Sequence, residues 1–295
     1  MNNDIPALPC WLNGEMSTVR DAKVSVLDRG FIFGDGVYEV VPAYEGRPFR
    51  FEEHMARLDR SLGELRIANP MDRKGWRRVV DDLIAAYAKH AGMKPEATNQ
   101  LVYLQVTRGV AMRDHVMPAD IVPTVFGMVN RLYIYTPEER ARGVDCYTAD
   151  DFRWKKAHIK TTSLAGAVLA RQISADRDGN ETVMFRDGFL SEAAASNVWM
   201  VKDGVVLGAP RDNLVLEGIR YGLLEQLCHE AGIPFELRRV AREEVLAADE
   251  ILLSSATQEI LPCTRLDGQP VGNGRPGPIY EKLFAGYQQA KRTTS

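Results

Sequence analysis

Lys160 is a candidate for covalent chemistry. It stands in Ala157-His158-Ile159-Lys160-Thr161-Thr162-Ser163-Leu164-Ala165-Gly166, where an extended segment runs into an apolar helix. A lysine at a strand end can have its stem packed and its amine turned toward a pocket. Desolvation and cationic neighbours then lower its pKa, and the neutral amine attacks carbonyl carbons. Two later stretches suit an anion. In Val215-Leu216-Glu217-Gly218-Ile219-Arg220-Tyr221 a glycine precedes a helix whose apolar Leu223, Leu224, Leu227 and Ala231 share one face, ending near Gly232. The start of such a helix offers backbone N–H groups and the positive end of the dipole to a phosphate. In Ile251-Leu252-Leu253-Ser254-Ser255-Ala256-Thr257-Gln258-Glu259 a buried strand empties into hydroxyl residues that can complete the cradle. Each feature also has an ordinary structural explanation: a solvated lysine, a glycine ahead of a helix, a turn capped by serine or threonine.

The elements that must position these groups alternate along the chain. Cys10-Trp11-Leu12-Asn13-Gly14-Glu15 carries a hairpin signal at Asn13-Gly14, and Val37-Tyr38-Glu39-Val40-Val41 is rich in strand formers. Between them the glycines of Asp28-Arg29-Gly30-Phe31-Ile32-Phe33-Gly34-Asp35-Gly36 allow sharp turns. Met55, Leu58, Leu62 and Leu65 predict a helix after Phe51, and another runs from Trp76 to His90. Leu101–Thr107 and Pro123–Val129 read as buried strands separated by the polar loop Arg108 to Asp120. Arg131 to Arg142, with Pro137 inside it, is the candidate linker, and the second half is expected to alternate strand, turn and helix. An α/β protein of two domains, 1–134 and 135–295, follows from this pattern and from a length of 295 residues.

Composition narrows the class of partner. Hydrophobic residues at 45% and charged residues at 26% are ordinary for a globular protein, so a disordered or fibrous chain is excluded. A net charge of -3 leaves no basic stripe for nucleic acid, which turns attention to small molecules. The four cysteines have no C-x-x-C spacing and read as reduced thiols. Met1-Asn2-Asn3-Asp4-Ile5-Pro6 has no charged-then-apolar leader pattern and no apolar run is long enough for a bilayer, so a cytoplasmic protein without membrane association is expected.

Five segments, in order, carry a resemblance: Phe33-Gly34-Asp35-Gly36-Val37-Tyr38-Glu39, Glu53-His54-Met55-Ala56-Arg57-Leu58, Ile159-Lys160-Thr161, Ser191-Glu192-Ala193-Ala194-Ala195-Ser196-Asn197-Val198, and Leu216-Glu217-Gly218-Ile219-Arg220. Over nearly its whole length the chain resembles the fold type IV pyridoxal phosphate enzymes, which include branched-chain aminotransferases, D-amino-acid aminotransferases and aminodeoxychorismate lyases. The resemblance implies a small N-terminal α/β domain and a larger, barrel-like C-terminal α/β domain. It implies pyridoxal 5′-phosphate as cofactor, with Lys160 forming the internal aldimine and shuttling the proton between substrate and cofactor. Glu192 falls where the family places the carboxylate facing the pyridine nitrogen. Arg57 matches the arginine on the cofactor phosphate. Gly218, Ile219 and Arg220 with Ser255, Ala256 and Thr257 match the remaining phosphate contacts, and Leu216 the apolar residue on the ring.

Substrate class follows from whatever binds the α-carboxylate. The loop Arg108-Gly109-Val110-Ala111-Met112-Arg113-Asp114-His115-Val116-Met117-Pro118 is similar to the Arg-x-His carboxylate trap of D-amino-acid aminotransferases, with Tyr38 completing the set. In the family this loop reaches into the neighbouring subunit's active site, which implies a homodimer. Branched-chain enzymes carry a glycine and an arginine where this chain has Val40 and Pro42. Ala194, Ala195, Arg220 and Ala256 replace hydroxyl residues found in relatives, leaving phosphate binding more to the backbone. The expectation is ping-pong transamination between a D-amino acid resembling D-alanine and a 2-oxo acid such as 2-oxoglutarate or pyruvate. Alternatives are an (R)-selective amine transaminase, a branched-chain aminotransferase, an aminodeoxychorismate lyase, or a non-catalytic cofactor-binding protein of the same fold.

Overall fold

A computed structural model describes residues 5–293, which cluster into two units. The first unit comprises the described residues up to Tyr133 together with Ile159–Leu164. Asn13 and Gly14 take φ of 49° and 106°, the left-handed pair a two-residue hairpin requires, and join β1 (Pro9–Leu12) to β2 (Glu15–Thr18). A short helix α1 (Arg29–Phe33) follows, begun by the Asp28 carboxylate accepting from the Gly30 N–H at 2.8 Å and ended by Gly34 at φ 65°. Next come β3 (Gly36–Tyr44), β4 (Arg47–Pro48), α2 (Phe51–Glu64), α3 (Arg73–His90), β5 (Gln100–Thr107) and β6 (Thr124–Arg131). The strands form one antiparallel sheet in the order β2-β1-β6-β5-β3-β4.

Alternation along β3 sorts its side chains. Val37, Glu39 and Val41 point to the helix-covered face, and Tyr38 and Val40 lie half-buried on the other. Val37, Val102, Leu104 and Val106 pack with Met55, Leu58 and Leu62 of α2 and with Trp76 and Leu83 of α3. Each such aliphatic side chain contributes about 1.5–3 kcal/mol by leaving water. Ile159 joins this core, so the strip carrying Lys160 is anchored by the side chain beside it.

The second unit comprises Ile134–His158 and the described residues from Ala165 onward. It holds α4 (Pro137–Arg142), β7 (Val144–Asp150), α5 (Ala165–Ala175), β8 (Glu181–Arg186), β9 (Phe189–Ala193), β10 (Asn197–Lys202), β11 (Val205–Gly208) and α6 (Ile219–Glu230). It continues with β12 (Phe235–Leu237), α7 (Arg242–Leu246), β13 (Glu250–Ser255), β14 (Glu259–Leu266), β15 (Gln269–Pro270) and α8 (Pro278–Thr293). The sheet runs β12-β11-β10-β13-β14-β7-β8-β9, with β15 on β14. The start of α8 is capped from a distance: both Glu250 carboxylate oxygens accept at 2.9 Å, from the N–H groups of Ile279 and Tyr280.

Three local expectations are amended. The stretch read as a linker contains α4, because Thr136 and Glu139 form a capping box and the Arg140 guanidinium is buried on Glu259 at 2.6 Å. Instead of alternating with helices, β8 to β11 follow one another directly. Asp187-Gly188 and Asp203-Gly204, all at positive φ, close two-residue hairpins there. The extended segment before α5 narrows to a single bridge, Val37 to Thr161. Among the described residues no helix is long and apolar enough to cross a membrane.

Candidate active site

In the first unit Lys160 is fixed by its backbone. Its N–H donates to Ser61 Oγ on α2 at 3.2 Å, and its carbonyl accepts from the Tyr38 N–H at 3.0 Å. The following residues hold the strip against the turn before β3: the Thr162 N–H and Thr161 Oγ1 donate to the Gly36 carbonyl, and Thr162 Oγ1 to that of Gly34. Glycine is required at position 36 by space, since a Cβ there would lie 2.7 Å from the Val106 carbonyl oxygen. The Lys160 Nζ sits 4.2 Å from the centroid of the Tyr38 ring, a cation–π contact. Tyr38 in turn stacks on Tyr103, whose phenol is pushed up to about 12 by burial and by its neighbour Tyr38.

Arg57 lies one helical turn from Ser61 on α2, and its guanidinium meets an acid the sequence reading did not single out. Glu39 is fully buried and takes Arg57 Nε at 2.7 Å on one oxygen and Nη2 at 2.9 Å on the other. His54 Nδ1 adds a contact of 2.7 Å. Burial pushes the Glu39 carboxyl up, but Arg57 and then His54 outweigh it and hold the group well below the usual carboxylate range. Arg57 is thereby locked in one rotamer. The spacing of Glu39 on a strand and His54 and Arg57 three apart on a helix was the available signal, since an acid on the core face of a strand needs a cation from the element covering it.

Arg113 and His115 are exposed, and both rest on Phe33. The Arg113 guanidinium carbon lies 5.4 Å from the Phe33 centroid, and the His115 and Phe33 ring centroids are 5.4 Å apart. A nearby cleft of about 730 Å³, lined by Trp11, Met71, Pro118 and Val122 among others, includes none of the candidate residues.

In the second unit Glu192, at the end of β9, is buried and its oxygens are differently employed. One accepts from Arg153 Nη1 at 2.8 Å; the other accepts from Asn197 Nδ2 at 3.1 Å and from the Leu216 N–H at 3.2 Å. Burial is the largest influence on this carboxyl and leaves it above the ordinary value, with Arg153 pulling the other way. Asn197 Nδ2 also donates to the Leu216 carbonyl at 2.9 Å, so one amide fixes the acid and Leu216 together. Arg153 is held from behind by Asp151 through Nε and Nη2, both at 2.9 Å. Sequence reasoning missed Arg153 and Asn197; Arg153 stands in the basic run Arg153-Trp154-Lys155-Lys156, which reads as solvated surface.

Gly218 is the N-cap of α6 in an extended conformation and supplies no side-chain cap of its own. A Cβ at 218 would stand 2.1 Å from Asn197 Oδ1, so close packing requires the glycine. The Arg220 guanidinium is buried and donates from Nε at 3.2 Å and Nη2 at 3.1 Å to the Tyr287 hydroxyl of α8. The Ser255 and Thr257 hydroxyls lie 3.2 Å apart, and Ser255 Oγ accepts from the Gln258 N–H at 3.1 Å, capping the turn that contains Ala256.

Residues 36–266 match the family described as amino-transferase class IV. The chain belongs to the class IV aminotransferases. Among curated members of this family, the D-alanine aminotransferase of Staphylococcus epidermidis is 33% identical over 279 residues, covering 95% of this chain and 96% of that protein. The D-alanine aminotransferase of Bacillus licheniformis is 35% identical over 279 residues, covering 94% and 95%. The class IV fold is also that of a branched-chain amino acid aminotransferase solved with pyridoxamine 5′-phosphate, at a TM-score of 0.87 and 23% identity, covering 99% of this chain and 96% of that one. The branched-chain enzyme of Escherichia coli gives a TM-score of 0.84 at 24% identity, covering 96% and 94%. Both structures establish a shared fold, that of the fold type IV enzymes. Membership of a class IV aminotransferase family implies pyridoxal phosphate chemistry, and Lys160, Glu192, Leu216 and Gly218 all lie inside the matched residues.

Proposed function

We propose that the protein is a D-amino-acid aminotransferase that uses pyridoxal 5′-phosphate to move an amino group from a donor such as D-alanine to a 2-oxo acid. The observation that carries this reading is the likeness to D-alanine aminotransferases along 95% of the chain. The residues present fit the cofactor. A carboxylate offers about four acceptor positions; three are taken on Glu192, by Arg153, Asn197 and the Leu216 N–H, which leaves room for a pyridinium N–H. A buried acid left above its ordinary pKa is also one that gains from a further cationic partner.

When bound, the cofactor would supply an electron sink for the electrons left at the substrate α-carbon. The protein's own residues do the rest. Lys160 is the amine that carries the cofactor and then takes and returns the α-proton. The Tyr38 ring beside Nζ restricts where that amine can move. Glu192, held by three donors, keeps a fixed negative charge for the ring nitrogen. Arg57, immobilised by Glu39, is assigned to the phosphate with the backbone at Gly218, Ile219 and Arg220 and the turn Ser255-Ala256-Thr257. Leu216, whose backbone is held by Asn197 and Glu192, would supply the apolar contact to the ring. Arg113 and His115 take the substrate carboxylate, the arginine as a bidentate donor.

A cytoplasmic homodimer completes the proposal. Met112, Val116 and Val122 are 79%, 72% and 81% exposed along and just beyond the trap loop, which supports burial of that loop against a second copy. Light scattering of the purified protein is expected to give twice the chain mass; a monomer at working concentration removes this part.

The decisive experiment is an absorbance spectrum of the holoenzyme during separate additions of D- and L-alanine. Loss of the lysine-bound cofactor band is expected with the D-enantiomer alone, and Lys160→Ala should lack both the band and turnover. Response to L-leucine or L-alanine in preference to D-alanine overturns the substrate assignment, and pyruvate release without any amine acceptor points to a lyase.

A further inference from the structure

Arg113 and His115 lie on an exposed loop, and exposed loops of this kind move unless something braces them. The brace here comes from the segment before β3. At the near end, the Arg29 N–H donates to the Gly109 carbonyl at 2.9 Å, Asp28 bridges Val110, and the Ala111 N–H donates to the Leu27 carbonyl at 3.3 Å. At the far end the hydrogen bond comes from a side chain. The Arg29 guanidinium, 4% exposed, donates through Nη1 to the carbonyl of Asp114 at 2.6 Å, the residue between Arg113 and His115. Its Nε donates to Asp35 at 2.8 Å. Its carbon lies 4.8 Å from the centroid of Phe33, the ring on which Arg113 and His115 also rest.

Asp35 ties this brace to the sheet and to α2. It accepts from Arg108 Nε at 2.7 Å and Nη2 at 3.0 Å, and Arg108 also donates to the Arg66 and Leu65 carbonyls at the end of α2. Burial would raise the Asp35 carboxyl, but the two arginines outweigh it and keep the group ionised.

We infer that Arg29 is a positioning residue that sets affinity for the substrate carboxylate by fixing the Arg113–His115 loop from beneath, without touching substrate. The inference rests on the trap role given to that loop under the proposed function. An arginine is needed because one rigid plane must present an Nε to Asp35, an Nη1 to a carbonyl and a flat face to Phe33. A lysine has one nitrogen and no face.

The test uses holoenzyme and measures kcat and KM for D-alanine in Arg29→Lys, Phe33→Leu and Arg113→Gln, and in the double variants Arg29→Lys/Arg113→Gln and Phe33→Leu/Arg113→Gln. Arg29→Lys is expected to raise KM about tenfold with kcat nearly unchanged, and to add little once Arg113 is gone. Phe33→Leu should behave in the same way with a smaller rise, and it keeps the test open if Arg29→Lys does not fold. A fall in kcat at unchanged KM, or effects that multiply fully with Arg113→Gln, overturns the positioning role. If Arg113→Gln leaves the D-alanine KM unchanged while Arg29→Lys raises it, the trap reading itself fails, and this inference fails with it.

Discussion

Glu39 in the first unit and Glu192 in the second are both buried glutamates on strands, and burial acts on them in the same direction. Their pKa values are displaced in opposite directions because their counter-charges differ. Glu39 holds Arg57 through both oxygens and has His54 as a second donor. Glu192 has one contact to Arg153, whose other nitrogens serve Asp151, and the Asp151 charge works against ionising Glu192. Two donors to Glu192 are neutral amides, which orient a carboxylate better than they neutralise it. Glu39 is thus a completed ion group that holds α2 to its strand, and Glu192 an oriented charge with its neutralisation left to a ligand.

The largest test of that contrast is stability. Glu39→Ala leaves the buried Arg57 and His54 without their acid and is expected to destabilise the protein by about 3–5 kcal/mol, read from denaturant unfolding. Glu192→Ala leaves Arg153 on Asp151 and exposes two amide donors, an expected loss of about 1–3 kcal/mol. A reversed order of the two would mean that Glu192 is the structural acid and would undo the distinction.

The second test is catalytic and has the opposite order. Glu192→Gln keeps the shape and a carbonyl acceptor but removes the charge, and kcat with D-alanine is expected to fall by about 100-fold or more while unfolding changes little. At saturating cofactor, Glu39→Gln should leave kcat within a few-fold and instead loosen cofactor binding through Arg57. Equal losses of kcat in the two variants would show that the charge at Glu192 has no special part in the reaction.

How much of this was legible in the sequence depends on the range of the interaction. Elements coded locally were readable: the Asn13-Gly14 hairpin, the apolar spacing of α2 and α3, and the glycine ahead of α6. The three further Asp-Gly turns at 187, 203 and 267 carry the same local code, and they make the second half a run of hairpins. Lys160 was singled out by its place at a strand end, but its role, like Glu192 altogether, came through family resemblance, because neither has a spacing that betrays it. Arg153, Asn197 and Glu39 escaped because their partners are 39, 5 and 18 residues away on other elements, and a cation in a basic run gives no sign of which acid it will meet. The membership of Ile159–Leu164 in the first unit is likewise a long-range choice made by Ile159 and the threonines after it.

The smallest effect is also the one that separates the two acids by sign. A carboxyl held below its ordinary value binds fewer protons folded than unfolded. The stability from Glu39 is therefore present above the ordinary glutamate value of 4.5 and is lost as the pH falls through its folded value. Glu192, raised above 4.5, binds more protons folded than unfolded, so its contribution is full below 4.5 and is lost as the pH rises through its folded value. In cofactor-free protein the stability gap between wild type and Glu39→Gln should therefore close on acidification, whereas Glu192→Gln should gain on wild type as the pH rises from 4.5. Restoring the cofactor should flatten the second trend and leave the first alone, because Glu192 has a single contact to Arg153 and gains a further cationic partner in the ring nitrogen, whereas Glu39 is already held by Arg57 through both oxygens. A Glu192 trend that persists with cofactor bound would mean that its charge is neutralised by something other than the ring nitrogen, with Arg153 the nearest candidate at 2.8 Å.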